Sequence, residues 1–173
     1  MACPTLTQGF TPKLCKTPSG TIEFMIAEHS FCTVTITSGV VSAIAMTSGK
    51  QFFRYKQKPE VANWKETPTI DAKSGAYKYT ADLIFDMNSL DSSTKIEAEN
   101  LMQLTSMVIS KDADGTYWLI GNSNGVDFTP ATDGGIEYSS FRGIKMTGQS
   151  IDFLPVASVP ANLIAALLLP ASP

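Results

Sequence analysis

A chain of 173 residues is long enough for one domain with a real core, and its formal charge of -3, with no basic cluster, argues against tight binding of phosphate or nucleic acid. Charged residues make up only 17%, below the usual quarter. Small polar residues fill the gap, which suits a protein whose faces are covered by neighbours and equally suits the Thr-rich strands of a plain β-sandwich.

Residues 1–19 hold Pro4, Pro12, Pro18 and Gly9, a spacing that predicts an extended arm. Met-Ala-Cys-Pro-Thr at the start has no basic region followed by an apolar run, so no secretory signal is expected there. Thr21 to Glu28 alternates around Ile22, Phe24 and Ile26, and Phe31 to Thr37 alternates Cys32, Val34 and Ile36 with threonines. Both predict strands, as does Val40 to Thr47 between Gly39 and Gly49. Gln51 to Lys58 and Val61 to Pro68 read as two strands meeting at Lys58-Pro59-Glu60.

Asp71 to Gly75 predicts a loop tip, and the polar hairpin from Ile70 to Ala76 is expected to project. In the strand that follows, Tyr77, Tyr79, Ala81, Leu83 and Phe85 fall on one face. Lys78, Thr80, Asp82 and Asp86 fall on the other, with Ile84 as the exception.

A single helix is predicted from about Thr94 to Leu104, with Thr94 and Glu97 as a capping box and Ala98, Leu101, Met102 and Thr105 on one face. Strands resume at Ser106 to Lys111 and Thr116 to Gly121, joined by a turn at Asp112-Ala113-Asp114-Gly115. Asn124-Gly125 is a hairpin signal inside a Gly121 to Gly125 loop, followed by a strand from Val126 to Thr129. Thr132 to Ser140 reads as a Gly-rich loop, and Gly143 to Phe153 alternates again. The apolar run from Val159 to Leu169 is interrupted by Pro160 and bounded by Pro170. It predicts a short helix starting at Pro160 and falls short of the roughly 18–20 apolar residues of a membrane span.

The expected fold is mainly β: an antiparallel sandwich or barrel with one flanking helix. The arm occupies 1–19, the β domain 20–155, and an apolar segment 156–173.

Little in the chain supports catalysis. His29 is the only histidine and no GxSxG elbow is present. Glu97 and Glu99, two apart on a helix, point to different sides, and Glu97 reads as a cap partner. Cys3, Cys15 and Cys32 are odd in number and lack CxxC spacing, so reduced thiols are expected rather than a zinc site. No cofactor or metal is expected. Trp64 and Trp118 read as core aromatics rather than base-stacking platforms. Carboxylates from distant strands leave a glycosidase as a minor alternative.

Several stretches carry a resemblance. Ala2-Cys3 through Gly9-Phe10, Ser38-Gly39-Val40-Val41, Ser48 to Tyr55, and Asp114 to Gly121 followed by Asn124-Gly125-Val126 resemble a family of phage and prophage structural proteins from Bacteroidetes hosts. The resemblance spans roughly residues 1–150, and no catalytic signature anchors it. The strand–helix–strand order resembles the tail tube proteins of long-tailed phages. That resemblance implies hexameric rings of this chain, stacked into a tube through which genome DNA passes non-specifically, with other tail proteins as partners. It implies a virion location after assembly in the bacterial host cytoplasm, no membrane insertion and no catalytic residues.

On that reading Lys78, Thr80, Asp82 and Asp86 are candidates for a polar, net acidic lumen face. Phe10, Leu14, Ile70, Leu163, Ile164 and Leu167 are candidates for contacts between subunits. Related β-sandwiches occur in tail terminators, contractile injection systems and head decoration. The alternatives are therefore a contractile-system tube and a decoration or adhesin-like binding module.

Overall fold

Strong alternation in the sequence becomes two antiparallel-rich sheets in the computed structural model, which describes residues 20–58, 60–135 and 141–168. The expected arm, with Phe10, Leu14, Cys3 and Cys15, lies outside the described residues.

In chain order the strands are β1 (Thr21–Glu28), β2 (Cys32–Thr37), β3 (Val40–Met46), β4 (Phe53–Lys56), β5 (Asn63–Ile70) and β6 (Tyr77–Met87). Helix α1 (Ser92–Gln103) comes next. Then follow β7 (Ser106–Asp112), β8 (Tyr117–Ile120), β9 (Asp127–Asp133), β10 (Gly143–Asp152), β11 (Ala157–Ser158) and helix α2 (Ala161–Leu167). The larger sheet runs β2-β3-β11-β8-β7-β1-β4 and the smaller β5-β6-β10-β9. Neither closes on itself, so the architecture is a sandwich and not a barrel.

The first core fills the space between the sheets. Phe24 and Ile26 of β1 and Val108 of β7 meet Leu83 and Phe85 of β6, with Ala98 and Leu101 of α1 closing one side. Phe85 is its hub: the rings of Phe24, Tyr55 and Phe128 lie 5.6, 5.6 and 5.7 Å from it, centroid to centroid. Burying each such side chain contributes about 1.5–3 kcal/mol.

A second core lies on the opposite face of the larger sheet. Met25, Met107, Ile109 and Leu119 pack there against Ile164 and Leu167 of α2 and Val41 of β3. The central strands β1 and β7 are thus apolar on both faces. Residues 157–167 form part of this layer, because β11 pairs with both β3 and β8.

Local chemistry explains the junctions. Ser38 (φ 52°) and Gly39 (φ 78°) sit between the paired residues Thr37 and Val40, a two-residue turn with both central residues left-handed. β4 and β5 do not form a hairpin. They belong to different sheets. The Gly121–Gly125 loop likewise crosses from β8 to β9 between sheets, so Asn124-Gly125 marks a crossover and not a hairpin. β9 runs through Asp133, further than the sequence predicts, because Thr132 and Asp133 still pair with Ile144 and Gly143.

Helix α1 starts two residues before the predicted Thr94. Asp91 is the cap: its Oδ1 accepts the Thr94 backbone N–H at 2.7 Å and the Ser93 hydroxyl at 2.7 Å. Glu97 is therefore not a cap partner and instead accepts the Tyr55 hydroxyl.

Candidate assembly surfaces

Three surfaces are candidates for contact with other molecules: the outer face of the smaller sheet, the projecting β5–β6 hairpin, and a groove beside β4.

The outer face follows from the register. Lys65 pairs with Asp82, Asp82 with Gln149, and Gln149 with Asp127, so these four lie in one row on one face. Neighbouring rows add Thr67, Thr80, Thr129, Thr147 and Lys145. Three lysines (Lys65, Lys78, Lys145) stand against four aspartates (Asp82, Asp86, Asp127, Asp133), leaving the face only slightly acidic.

All four lumen-face candidates are on it. Lys78 is exposed, whereas Thr80, Asp82 and Asp86 are half-buried between flanking strands. Gln149 Nε2 donates to Asp82 Oδ1 at 2.8 Å. Asp86 is less free than alternation suggests. Its Oδ1 is buried without a hydrogen-bond partner among the described residues, and its backbone N–H donates to Gln57 Oε1 at 3.1 Å. Among the described residues the edge strands β5 and β9 each pair with one strand, and each carries one proline, Pro68 and Pro130.

The β5–β6 hairpin extends past β10, whose pairing with β6 stops at Asp152↔Tyr79. Beyond that point Ile70 pairs with Tyr77, and both are exposed, at 63% and 56%. The tip is held by Asp71, whose Oδ1 accepts the Lys73 backbone N–H at 2.8 Å. That bond and those from Ser74 hold its carboxyl below the usual range.

No family model, curated protein or solved structure matches this chain. The surfaces are therefore read on their own chemistry.

The subunit-contact candidates in α2 have a different fate. Ile164 and Leu167 are each 6% exposed and packed in the second core, with Leu163 half-buried against it. Their apolar surface is committed within the chain, because α2 is the lid of the larger sheet. Ile70 alone among the described contact candidates is open to a neighbour.

Sequence reasoning missed the groove. It holds about 570 Å³ between α1 and β4, lined by Tyr55, Phe53, Glu97, Leu101, Leu104 and Glu28 among others. Phe53 is 56% and Leu104 40% exposed. Tyr55 donates its hydroxyl to Glu97, and burial followed by that bond pushes its pKa well above the ordinary value. Phe53 stands next in chain to Phe52, which is 2% exposed in the second core, so apolar character alone gives no signal that it is open.

Two further polar side chains bond within the chain, whereas the buried Ser150 hydroxyl has no partner among the described residues. His29 Nε2 donates to the Asn122 carbonyl at 3.0 Å. Arg54 and Glu23 form an ion pair, with the Arg54 terminal nitrogen 2.9 Å from Glu23 Oε2. Among the described residues no helix is long and apolar enough to cross a membrane.

Proposed function

We propose that this chain is a non-enzymatic virion structural subunit that assembles with copies of itself into stacked rings, a tail tube for passing DNA. The observation that carries this reading is the smaller sheet. Its outer face is mostly polar and threonine-rich, with Ile84 and Ile151 as apolar members, and neither of its edges pairs with another strand among the described residues. Edge-to-edge continuation of that sheet, β9 of one copy beside β5 of the next, is a heterologous contact that closes into a ring. Pro68 and Pro130 limit how far such pairing runs. A face with lysines and aspartates mixed, slightly acidic in balance, offers DNA no basic track to bind.

Negative-stain electron microscopy with mass from light scattering tests the reading. Rings or tubes are the expected result. A chain that stays monomeric when concentrated, and also when purified tail tips are added as initiators, overturns it and moves the reading to a decoration or binding module.

A further inference from the structure

Two surfaces that no described residue covers differ in shape and charge. One is convex: the hairpin tip, with Ile70 and Tyr77 paired and exposed, and Lys73 in the turn. The other is the concave groove between α1 and β4, where Phe53 and Leu104 are exposed beside Glu28 and Glu97.

We infer that the groove receives the Ile70–Tyr77 hairpin tip of a second copy of this chain. The inference rests on the self-assembly reading and adds a second contact between copies to the β9–β5 edge pairing.

Size and charge fit together. A cavity of about 570 Å³ is in the range that takes a compact apolar group, and two large side chains on a narrow hairpin supply one. The tip's carboxylate, Asp71, is turned into its own backbone, while no carboxylate among the described residues lies within 4 Å of the Lys73 ammonium. In the groove, Lys50 sits 4.3 Å over the Phe31 ring, and the two glutamates leave the groove acidic on balance. Lys73 thus brings a cation to an acidic mouth, and Ile70 and Tyr77 bring apolar surface to Phe53 and Leu104.

The two patches are different parts of the chain, so the contact is heterologous. After pairing, one copy keeps its groove free and the other its tip, so growth continues until a ring closes or a filament extends.

Paired charge reversal tests the contact. Lys73→Glu gives copies with an acidic tip and an acidic groove, and Glu28→Lys gives copies with a basic tip and a groove turned basic, where Lys50 and the new lysine face Glu97. Both positions lie on the surface or half-buried, and circular dichroism confirms that each variant is folded. Each variant alone is expected to lose most of the wild-type assembly by light scattering, and an equimolar mixture to regain it, because acidic tips then meet the altered groove. Wild-type assembly with both variants assembling normally overturns this contact and leaves self-assembly standing. A wild-type chain that never assembles overturns both.

Discussion

Trp64 and Trp118 come from opposite sheets, lie 5.8 Å apart between ring centroids, and both donate their indole N–H to Asp112. Trp118 reaches Oδ2 at 3.0 Å and Trp64 reaches Oδ1 at 3.4 Å. The Thr21 and Ser110 hydroxyls share Oδ1 at 3.3 Å. One carboxylate at the end of β7 thus fastens the two sheets together. Replacing it, Asp112→Ala, leaves two indole donors without their acceptor. The expected loss is about 1–2 kcal/mol in denaturant unfolding, with a shift in tryptophan emission. Unchanged stability and emission would show that the shared carboxylate adds nothing to the closure.

How much of this was legible in the sequence depends on whether the interaction is local. The alternation of β6 and β10 predicts their two faces, since period two is a local property. The turn Asp112–Gly115 is equally local, closed by Gly115 N–H to the Asp112 carbonyl at 3.0 Å. The role of Asp112 as acceptor for two tryptophans is not local, because Trp64 is 48 residues away. The same holds for the groove, made when α1 meets β4, and for Glu97, whose partner Tyr55 is 42 residues away. The position of Asp91 as the cap was within reach, but a run of cap residues from 91 to 94 offers several starting points, and only the hydrogen bonds select one.

Asp152 is 7% exposed and has its own acceptor task. Its Oδ1 takes the backbone N–H groups of Ser123 and Asn124 at 3.1 and 2.9 Å, fixing the loop that crosses between the sheets. Asp152→Ala leaves those donors unpaired, and a loss of about 2–3 kcal/mol is expected. Hydrogen exchange resolves the mechanism: amides 123 and 124 should lose protection more than those of β7. Uniform loss across the chain would point instead to general destabilisation.

Gly148 allows Phe128 to cross β10. A Cβ built there meets the Phe128 ring at 2.5 Å and Val126 Cγ1 at 3.0 Å. Phe128 is also wedged edge-on against Phe85, so the ring has little room to yield. Gly148→Ala is expected to cost about 1–3 kcal/mol through overpacking, and Gly148→Ala with Phe128→Leu to recover part of it. Thermal unfolding of the two variants checks this, and simple additivity of their effects would contradict the clash.

Cys32 should be a slow thiol. Burial, and then the nearby Glu28 carboxylate, push its pKa up to about 11, and its Sγ donates to the Glu28 carbonyl at 3.5 Å. At pH 8 about one such thiol in a thousand is ionised, against roughly a quarter of ordinary cysteines. Peptide-resolved alkylation with iodoacetamide should therefore rise steadily with pH at Cys32 well past the point where an ordinary thiol levels off. A plateau near the ordinary value would mean that β2 opens readily and exposes the thiol.

The cap at Asp91 predicts an acid dependence with a definite sign. Hydroxyls of Ser89 and Ser93 and the Thr94 N–H hold its carboxyl far below the ordinary value of 3.8. A carboxyl depressed in the folded state adds stability above its unfolded pKa and loses it as pH falls through the folded one. Asp91→Ala should thus be less stable than the wild type at neutral pH, with the gap narrowing on acidification below the ordinary aspartate range. Asp91→Ser keeps an acceptor but no charge, and its stability should vary less with pH over the same window. Chemical denaturation across a pH series measures all three. If the wild-type and Asp91→Ala curves stay parallel through acid, the carboxylate charge does not hold the start of α1, and the cap would have to act through its neutral hydrogen bonds alone.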